Sequence, residues 1–246
     1  DAIDPRGTFD RAGARLREIL RVARTHQAFI NVDMESYEKK DLTLQLFREV
    51  LMEPEFRELN HVGIVVQCYL RDAAQDLLML RNWVQSRGTP ISVRLVKGAY
   101  WDHETITAQA RDWPIPVFQR KPQSDANYEL LTRFILQNTK YLHPAFGSHN
   151  VRSLAHAMAT AKQLQLPPGA YELQMLYGMA DAEKQAIVAQ GQRLRIYMPY
   201  GELIPGMAYL VRRLLENTSN NSFVRAGFLE HAAVEKLLRN PLHALS

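Results

Sequence analysis

The sequence predicts an α/β protein whose parallel sheet closes into a (β/α) barrel, on three observations. First, short apolar, β-branched runs alternate with longer segments of helical period along the whole chain, the order expected of parallel strands joined by crossover helices. Second, polar residues end nearly every such run: Asp33, Gln67, Arg94 with Lys97, Ser148 with His149, Gln174 and Tyr197. A barrel brings the carboxyl ends of all its strands to one mouth, whereas an open doubly wound sheet concentrates them at a single switch point. Third, no G-x-G-x-x-G or G-x-x-x-x-G-K-[ST] run follows any strand, so the usual nucleotide-binding loops are absent.

The elements follow in order. A helical pattern over 8–25 precedes the strand FINVD (29–33), and a second helix is expected over 41–51. VGIVVQCYL (62–70) is the most continuous apolar run and reads as a buried strand, followed by a helix over 72–86. ISVRLV (91–96) comes next, then helices over 103–111 and 125–140, with PVFQ (116–119) a poor strand between them. YLHPAFGSHN (141–150) is weakened as a strand by Pro144, which lacks a donor. After a helix over 151–164 come YELQML (171–176), a helix over 181–190, LRIYM (194–198) and a last helix over 201–217.

A chain of 246 residues with 46% apolar and 23% charged residues can bury one large core, so a single domain over 1–246 is the default. The net charge of +4 is mild and no Lys/Arg block resembles a nucleic-acid arm or a polybasic membrane anchor. Cys68 is the single cysteine, which excludes an internal disulfide and a cysteine-based zinc cluster and suits a reducing compartment. No apolar run reaches the roughly 18 residues that span a bilayer, and no signal-peptide pattern is present. The chain begins with Asp1 rather than Met and reads as a piece of a longer polypeptide.

VRLVKGAYWD (93–102) carries the most unusual chemistry, because an alternating strand bearing Arg94 breaks at Lys97-Gly98 into Tyr100 and Trp101. Gly98 lets a backbone approach a flat ligand, Arg94 can donate to an electron-rich heterocycle, and Lys97 can meet a phosphate or carbonyl. The plainer alternative is a strand end with a satisfied arginine and an aromatic plug. In GSHN (147–150), Ser148, His149 and free helix N–H groups can receive a phosphate, although an N-cap serine explains Ser148 equally well. Asp33 with Glu35, Glu38 and Asp41 makes an acidic turn that suits paired-carboxylate hydrolysis, a hard metal, or anchoring of a neighbouring arginine. Tyr100, Trp101, Tyr177, Tyr197 and Tyr200 add aromatic faces near strand ends. In YLVRRLLEN (209–217), Arg212 and Arg213 are adjacent on a helix turning about 100° per residue, so both can point into one cleft, with Glu216 a turn away.

NVDMES, VVQCY, VRLVKGAYWD, GSHN, YELQMLYGM, RIYMPYGE and YLVRRLLENTSNNSF, in that order over 29–223, resemble the proline dehydrogenase family, most closely the proline dehydrogenase domain of bifunctional proline utilization A proteins. The resemblance implies a distorted (β/α)8 barrel with FAD at the strand ends. It also implies oxidation of L-proline to Δ1-pyrroline-5-carboxylate, with electrons passing to a membrane quinone. A cytoplasmic enzyme, peripheral at the membrane and carrying a fused pyrroline-5-carboxylate dehydrogenase domain, is implied with it. By motif, Arg94 and Gln67 contact the flavin ring and Lys97, Gly98 and Ala99 the cofactor around the strand break, with Trp101 beside them. Ser148 and His149 meet its phosphate or ribitol region, and Met34, Gln174 and Glu216 are secondary contacts. Arg212 and Arg213 grip the substrate carboxylate, Tyr197, Tyr100 and Leu176 cover the pyrrolidine ring, and Asp33 holds the polar frame. One departure stands out: the family's first strand, whose lysine also faces the carboxylate, has no counterpart before Thr8. The alternatives are a 4-hydroxyproline dehydrogenase and a non-catalytic barrel fragment acting as a scaffold.

Overall fold

The computed structural model describes residues 4–202, 204, 206–207, 209–211 and 238–244. Helix α1 (Pro5–Thr25) leads into β1 (Ile30–Val32), α2 (Tyr37–Met52), β2 (Val62–Gln67), α3 (Ala73–Arg87) and β3 (Ile91–Val96). Two helices, α4 (Trp101–Ala110) and α5 (Lys121–Gln137), separate β3 from β4 (Leu142–Gly147). Then come α6 (Val151–Gln163), β5 (Glu172–Leu176), α7 (Asp181–Ala189), β6 (Leu194–Tyr197) and a 3-10 turn at Pro241–Ala244. Residues 204, 206–207 and 209–211 are helical, within the last expected helix.

The six strands pair in parallel in the order β1-β2-β3-β4-β5-β6. This monotonic order decides between the two α/β architectures. Parallel crossovers are right-handed, so a sheet that never reverses direction keeps its helices on one face, as a barrel does and a doubly wound sheet does not. The helix-facing residues Ile64, Val66, Val93, Leu95, Phe146 and Leu173 join Leu77, Leu80, Leu131, Ile135 and Leu154 in one buried core. Each such side chain contributes about 1.5–3 kcal/mol of transfer free energy. In β3 the alternation is explicit: Ile91, Val93 and Leu95 are buried, while Ser92, Arg94 and Val96 on the other face are half-buried. Six parallel strands are therefore the observed part of the expected barrel.

Several boundaries differ from the periodic pattern, for local reasons. Helix α1 starts at Pro5 rather than Thr8, because Asp4 Oδ1 accepts from Gly7 N at 2.8 Å and proline suits the first turn. Helix α5 starts at Lys121, with Gln123 Oε1 accepting from Arg120 N at 3.0 Å. PVFQ is not a strand of the sheet; Val117 makes one isolated antiparallel bridge with Leu70. Pro144 does lie inside β4, but the ladder to β5 begins at Ala145, so no hydrogen bond from Pro144 is required on that side.

Arg87, at the end of α3, is 2% exposed and meets no carboxylate among the described residues. Its guanidinium donates to the carbonyls of Leu51 (3.1 Å), Phe56 (2.9 Å), Leu59 (2.7 Å) and Thr89 (3.2 Å), tying the α2–β2 connection to the base of α3. Burial, with Arg57 nearby, pushes its pKa down to about 10, below the ordinary arginine value. Replacing it with methionine removes the side-chain donor from four carbonyls, of which Phe56 O keeps the N–H of Leu59. Arg87→Met is expected to lower unfolding free energy by at least about 3 kcal/mol in urea titrations, and an unchanged midpoint would contradict this account.

Candidate functional site

Every strand contributes to one cleft of about 290 Å³ at the carboxyl end of the sheet. Asp33, Met34 and Glu35 follow β1, Val65 and Gln67 come from β2, and Arg94 and Val96 from β3, whose continuation 97–100 closes one side. Gly147, Ser148 and His149 close β4, while Gln174, Met175 and Leu176 come from β5, Tyr197 from β6 and Tyr209 from the helical residues beyond. The period of two explains the selection within β2 and β3: Val65 and Gln67 share one face, as do Arg94 and Val96.

Arg94 is the centre of the floor. Its Nη1 donates to Asp33 Oδ1 at 2.6 Å, its Nε donates to Gln174 Oε1 at 2.7 Å, and its guanidinium lies 5.7 Å from the Tyr197 ring centroid. Tyr197 in turn stacks on Tyr209, with centroids 5.9 Å apart. Tyr100 Oη donates to Glu35 Oε2 at 3.0 Å, joining the β1–α2 and β3–α4 loops across the mouth. Glu104, buried in the first turn of α4, braces the same loops by accepting from Tyr37 N at 2.7 Å. Helix α2 has no side-chain cap of its own, so this distant carboxylate serves as one.

Lys97 lines the cleft, but its ammonium is engaged away from it. Its ammonium is turned to Asp125 on α5, which Lys121 also approaches at 2.6 Å. Burial lowers the Lys97 pKa, and Asp125 offsets this only in part. Burial would raise the Asp125 pKa, but the charges of Lys97 and Lys121 outweigh it and hold the carboxyl below its usual range. Gly98 follows with φ +133, and a Cβ there would lie 2.4 Å from Cδ1 of the buried Tyr69. Glycine is needed for both reasons.

At the β4 end, the side chain that caps α6 is Asn150, accepting from Ser153 N at 3.1 Å, rather than Ser148. Ser148 Oγ accepts from Asn150 N at 3.0 Å, and Ser148 N donates to Gln174 O at 3.2 Å. His149 Nε2 accepts from Leu176 N at 3.0 Å, so in the neutral ring the proton resides on Nδ1. Gln67 Nε2 donates to the carbonyls of Met34 (3.4 Å) and Glu35 (3.3 Å), while its Oε1 is buried with no partner among the described residues.

Of the residues expected from sequence, the cleft unites Asp33, Met34, Gln67, Arg94, Lys97, Gly98, Ala99, Tyr100, Ser148, His149, Gln174, Leu176 and Tyr197. Trp101 does not line it; its indole N–H donates to Phe118 O at 2.8 Å. Tyr177 and Tyr200 are exposed outside it, and Asp41 faces Lys40 at 3.1 Å. Arg212, Arg213 and Glu216 lie outside the described residues. Val65, Val96, Gly147, Met175 and Tyr209 were not anticipated, though the strand period points to Val65 and Val96.

The donor set fits a flat, hydrogen-bonding cofactor. Gln67 Oε1 and Arg94 Nη2 are an acceptor and a donor without partners among the described residues, beside Met34, Val65, Val96 and Leu176.

A parallel β/α sheet with a cleft at its strand ends, lined by apolar side chains and a few polar ones, is of the class in which barrel proteins hold their ligands. The Proline dehydrogenase family profile matches residues 3–226, and the chain belongs to that family. It is 32% identical over 238 residues to the bifunctional protein PutA of Klebsiella aerogenes, which covers 94% of this chain and 18% of that protein. It is 30% identical over 215 residues to proline dehydrogenase 1 of Bacillus subtilis, covering 87% of this chain and 63% of that one. Among solved structures, proline utilization A from Bdellovibrio bacteriovorus, inactivated by N-propargylglycine, matches with TM-score 0.95 at 51% identity, over 98% of this chain and 25% of that one. The Bradyrhizobium japonicum protein matches with TM-score 0.93 at 30% identity. The chain thus spans a quarter or less of these bifunctional relatives and under two thirds of the Bacillus enzyme.

The Asp125 assignment gives a pH-dependent expectation. A carboxylate whose folded pKa is depressed adds stability that is present above its unfolded value of about 3.9 and is lost as pH falls through the folded value. Asp125→Asn is expected to cost about 1.5–3 kcal/mol at neutral pH, since it leaves the half-buried Lys97 without its counter-charge. Thermal unfolding of both proteins should converge as pH falls below the unfolded value. A constant difference across that range would contradict the pairing.

Proposed function

We propose that this protein oxidises L-proline to Δ1-pyrroline-5-carboxylate in the cleft, with FAD as cofactor and a membrane quinone as final electron acceptor. What carries the proposal is the cleft floor of a proline dehydrogenase family member: Arg94 held between Asp33 and Gln174, beside the open acceptor of Gln67. FAD, when bound, supplies the acceptor for hydride leaving the ring carbon next to the proline nitrogen.

The chain's own residues bind, orient and exclude water. Gln67 and Arg94 hold the flavin ring, Arg94 favouring the negative charge that accumulates on reduction. Met34, Lys97, Gly98, Ala99, Ser148, His149, Gln174 and Glu216 complete the cofactor site, with Trp101 near its rim through the strand break. Lys97 contributes through atoms other than its ammonium, which Asp125 occupies. Tyr197, Tyr100 and Leu176 cover the pyrrolidine ring, and Arg212 and Arg213 fork the substrate carboxylate. Asp33 balances the charge of Arg94 and fixes its direction.

In this proposal the sheet closes as a distorted (β/α)8 barrel, whose first strand, with its carboxylate-facing lysine, is not among the six strands described. The quinone, in this proposal, is met peripherally, at the membrane surface; no helix among the described residues is long and apolar enough to cross a bilayer. The bifunctional relatives support a fused pyrroline-5-carboxylate dehydrogenase as the next user of the product.

The parent protein is expected to show a flavin band that L-proline bleaches and a quinone restores. N-propargylglycine, the inactivator of the Bdellovibrio relative, should abolish that bleaching. Colourless protein after FAD addition, or a band indifferent to proline, would overturn the proposal. Arg212→Met and Arg213→Met should each raise KM for proline roughly 10- to 100-fold, the loss of a charge-assisted contact, with FAD content retained. Unchanged KM in both variants removes the carboxylate clamp.

A further inference from the structure

Glu172 and Gln174 lie two residues apart on β5, and the side chain of Glu172 is 12% exposed. Arg195 on β6 grips the carboxylate with both arms, Nε to Oε1 at 2.7 Å and Nη2 to Oε2 at 3.0 Å, and Arg193 Nε approaches Oε2 at 3.2 Å. Gln174 Nε2 donates to Glu172 Oε1 at 2.6 Å, and Gln174 Oε1 accepts from Arg94 Nε at 2.7 Å. A continuous polar chain therefore runs Arg195–Glu172–Gln174–Arg94–Asp33 along the helix-free face of the sheet, with Arg195 and Asp33 exposed at its ends. Glu172 itself does not line the cleft; it borders a separate cavity toward the amino ends of the strands.

We propose that Glu172 is a positioning residue for Arg94, acting by setting the direction of the Gln174 side-chain amide. This rests on Arg94 serving the cofactor, as proposed above. A carboxylate only accepts and a guanidinium only donates, so an amide between them has one satisfactory orientation. Turned over, it would set its NH₂ against Arg94 Nε–H and its carbonyl against the carboxylate. Gln174 is 6% exposed, so water has little room to repair that mismatch. Burial pushes the Glu172 carboxyl up, but hydrogen bonds from Arg195 and Gln174 and the charge of Arg193 outweigh it, so the group stays an acceptor.

The test uses the flavin-loaded full-length protein with E172Q, E172D, Q174M and the double variants. Two readouts are taken: the rate of flavin reduction by proline, and the flavin midpoint potential from chemical reduction. E172Q, which can let the amide turn, is expected to slow reduction about tenfold while KM for proline moves by less than about twofold. E172D keeps an acceptor-only carboxylate and should retain more of the rate than E172Q. A packing role predicts the reverse, because glutamine matches glutamate in volume and aspartate does not. In the Q174M background, neither Glu172 change should slow reduction further, and E172D should not shift the potential further. The cycle is run with both Glu172 variants, so one that fails to fold leaves the other as the test. Additive losses, a wild-type rate in E172Q, or E172D slower than E172Q overturn the proposal. If proline fails to reduce the unmodified protein, the proposed function falls, and the potential cycle with E172D still reads the Glu172–Gln174 coupling by itself.

Discussion

The side-chain amide of Gln174 sits between a group that only accepts and a group that only donates, and the floor of the cleft is organised around that constraint. Arg94 takes its direction from two fixed acceptors on different strands, Gln174 on β5 and Asp33 after β1. With Nε and Nη1 committed, the guanidinium plane is set, and Tyr197 lies over it. A guanidinium held in this way loses little freedom when a ligand arrives, which is how preorganised donors act most strongly.

The same arrangement follows from the topology. Strands joined in sequence by crossovers of one hand leave one face of the sheet without helices, so its residues cannot be satisfied by an apolar layer. The polar chain from Arg195 to Asp33 on that face answers this by pairing charges and amides with each other. Buried polar networks are costly when incomplete, and at the cleft Gln67 Oε1 and Arg94 Nη2 have no partner among the described residues.

Around the mouth, tertiary contacts replace what local sequence lacks. Helix α2 borrows its cap from Glu104, and Lys40 in its first turn reaches Asp72 at 2.8 Å and Asp76 at 2.7 Å on the α3 side. Burial opposes the charge on Lys40, yet the two aspartates raise its pKa overall. The loop carrying Asp33, Met34 and Glu35 is thereby held from α4, α3 and β2 together. Gly98, fitted against Tyr69, lets the chain leave β3 on the opposite side of the mouth.

By itself the sequence determined the alternation of strands and helices, the strand that carries each polar terminus, and the family. Each of these rests on short-range pattern: the period of two in ISVRLV puts Arg94 and Val96 on one face whatever they meet. Even the motif order over 29–223 is a linear property. Partner choice was decided only in three dimensions. Arg94 joins residues 61 and 80 positions away, so its neighbours depend on the register between strands. The Lys97 ammonium turns to Asp125, 28 residues on, a counter-charge that nothing nearby in sequence announces. Glu172 lies within YELQMLYGM, yet the motif assigns it no role; its place follows from lying on the same face as Gln174 and beside Arg195 of the next strand. Periodicity tells which way a side chain points, but which groups of opposite hydrogen-bonding capacity meet there depends on how the strands align.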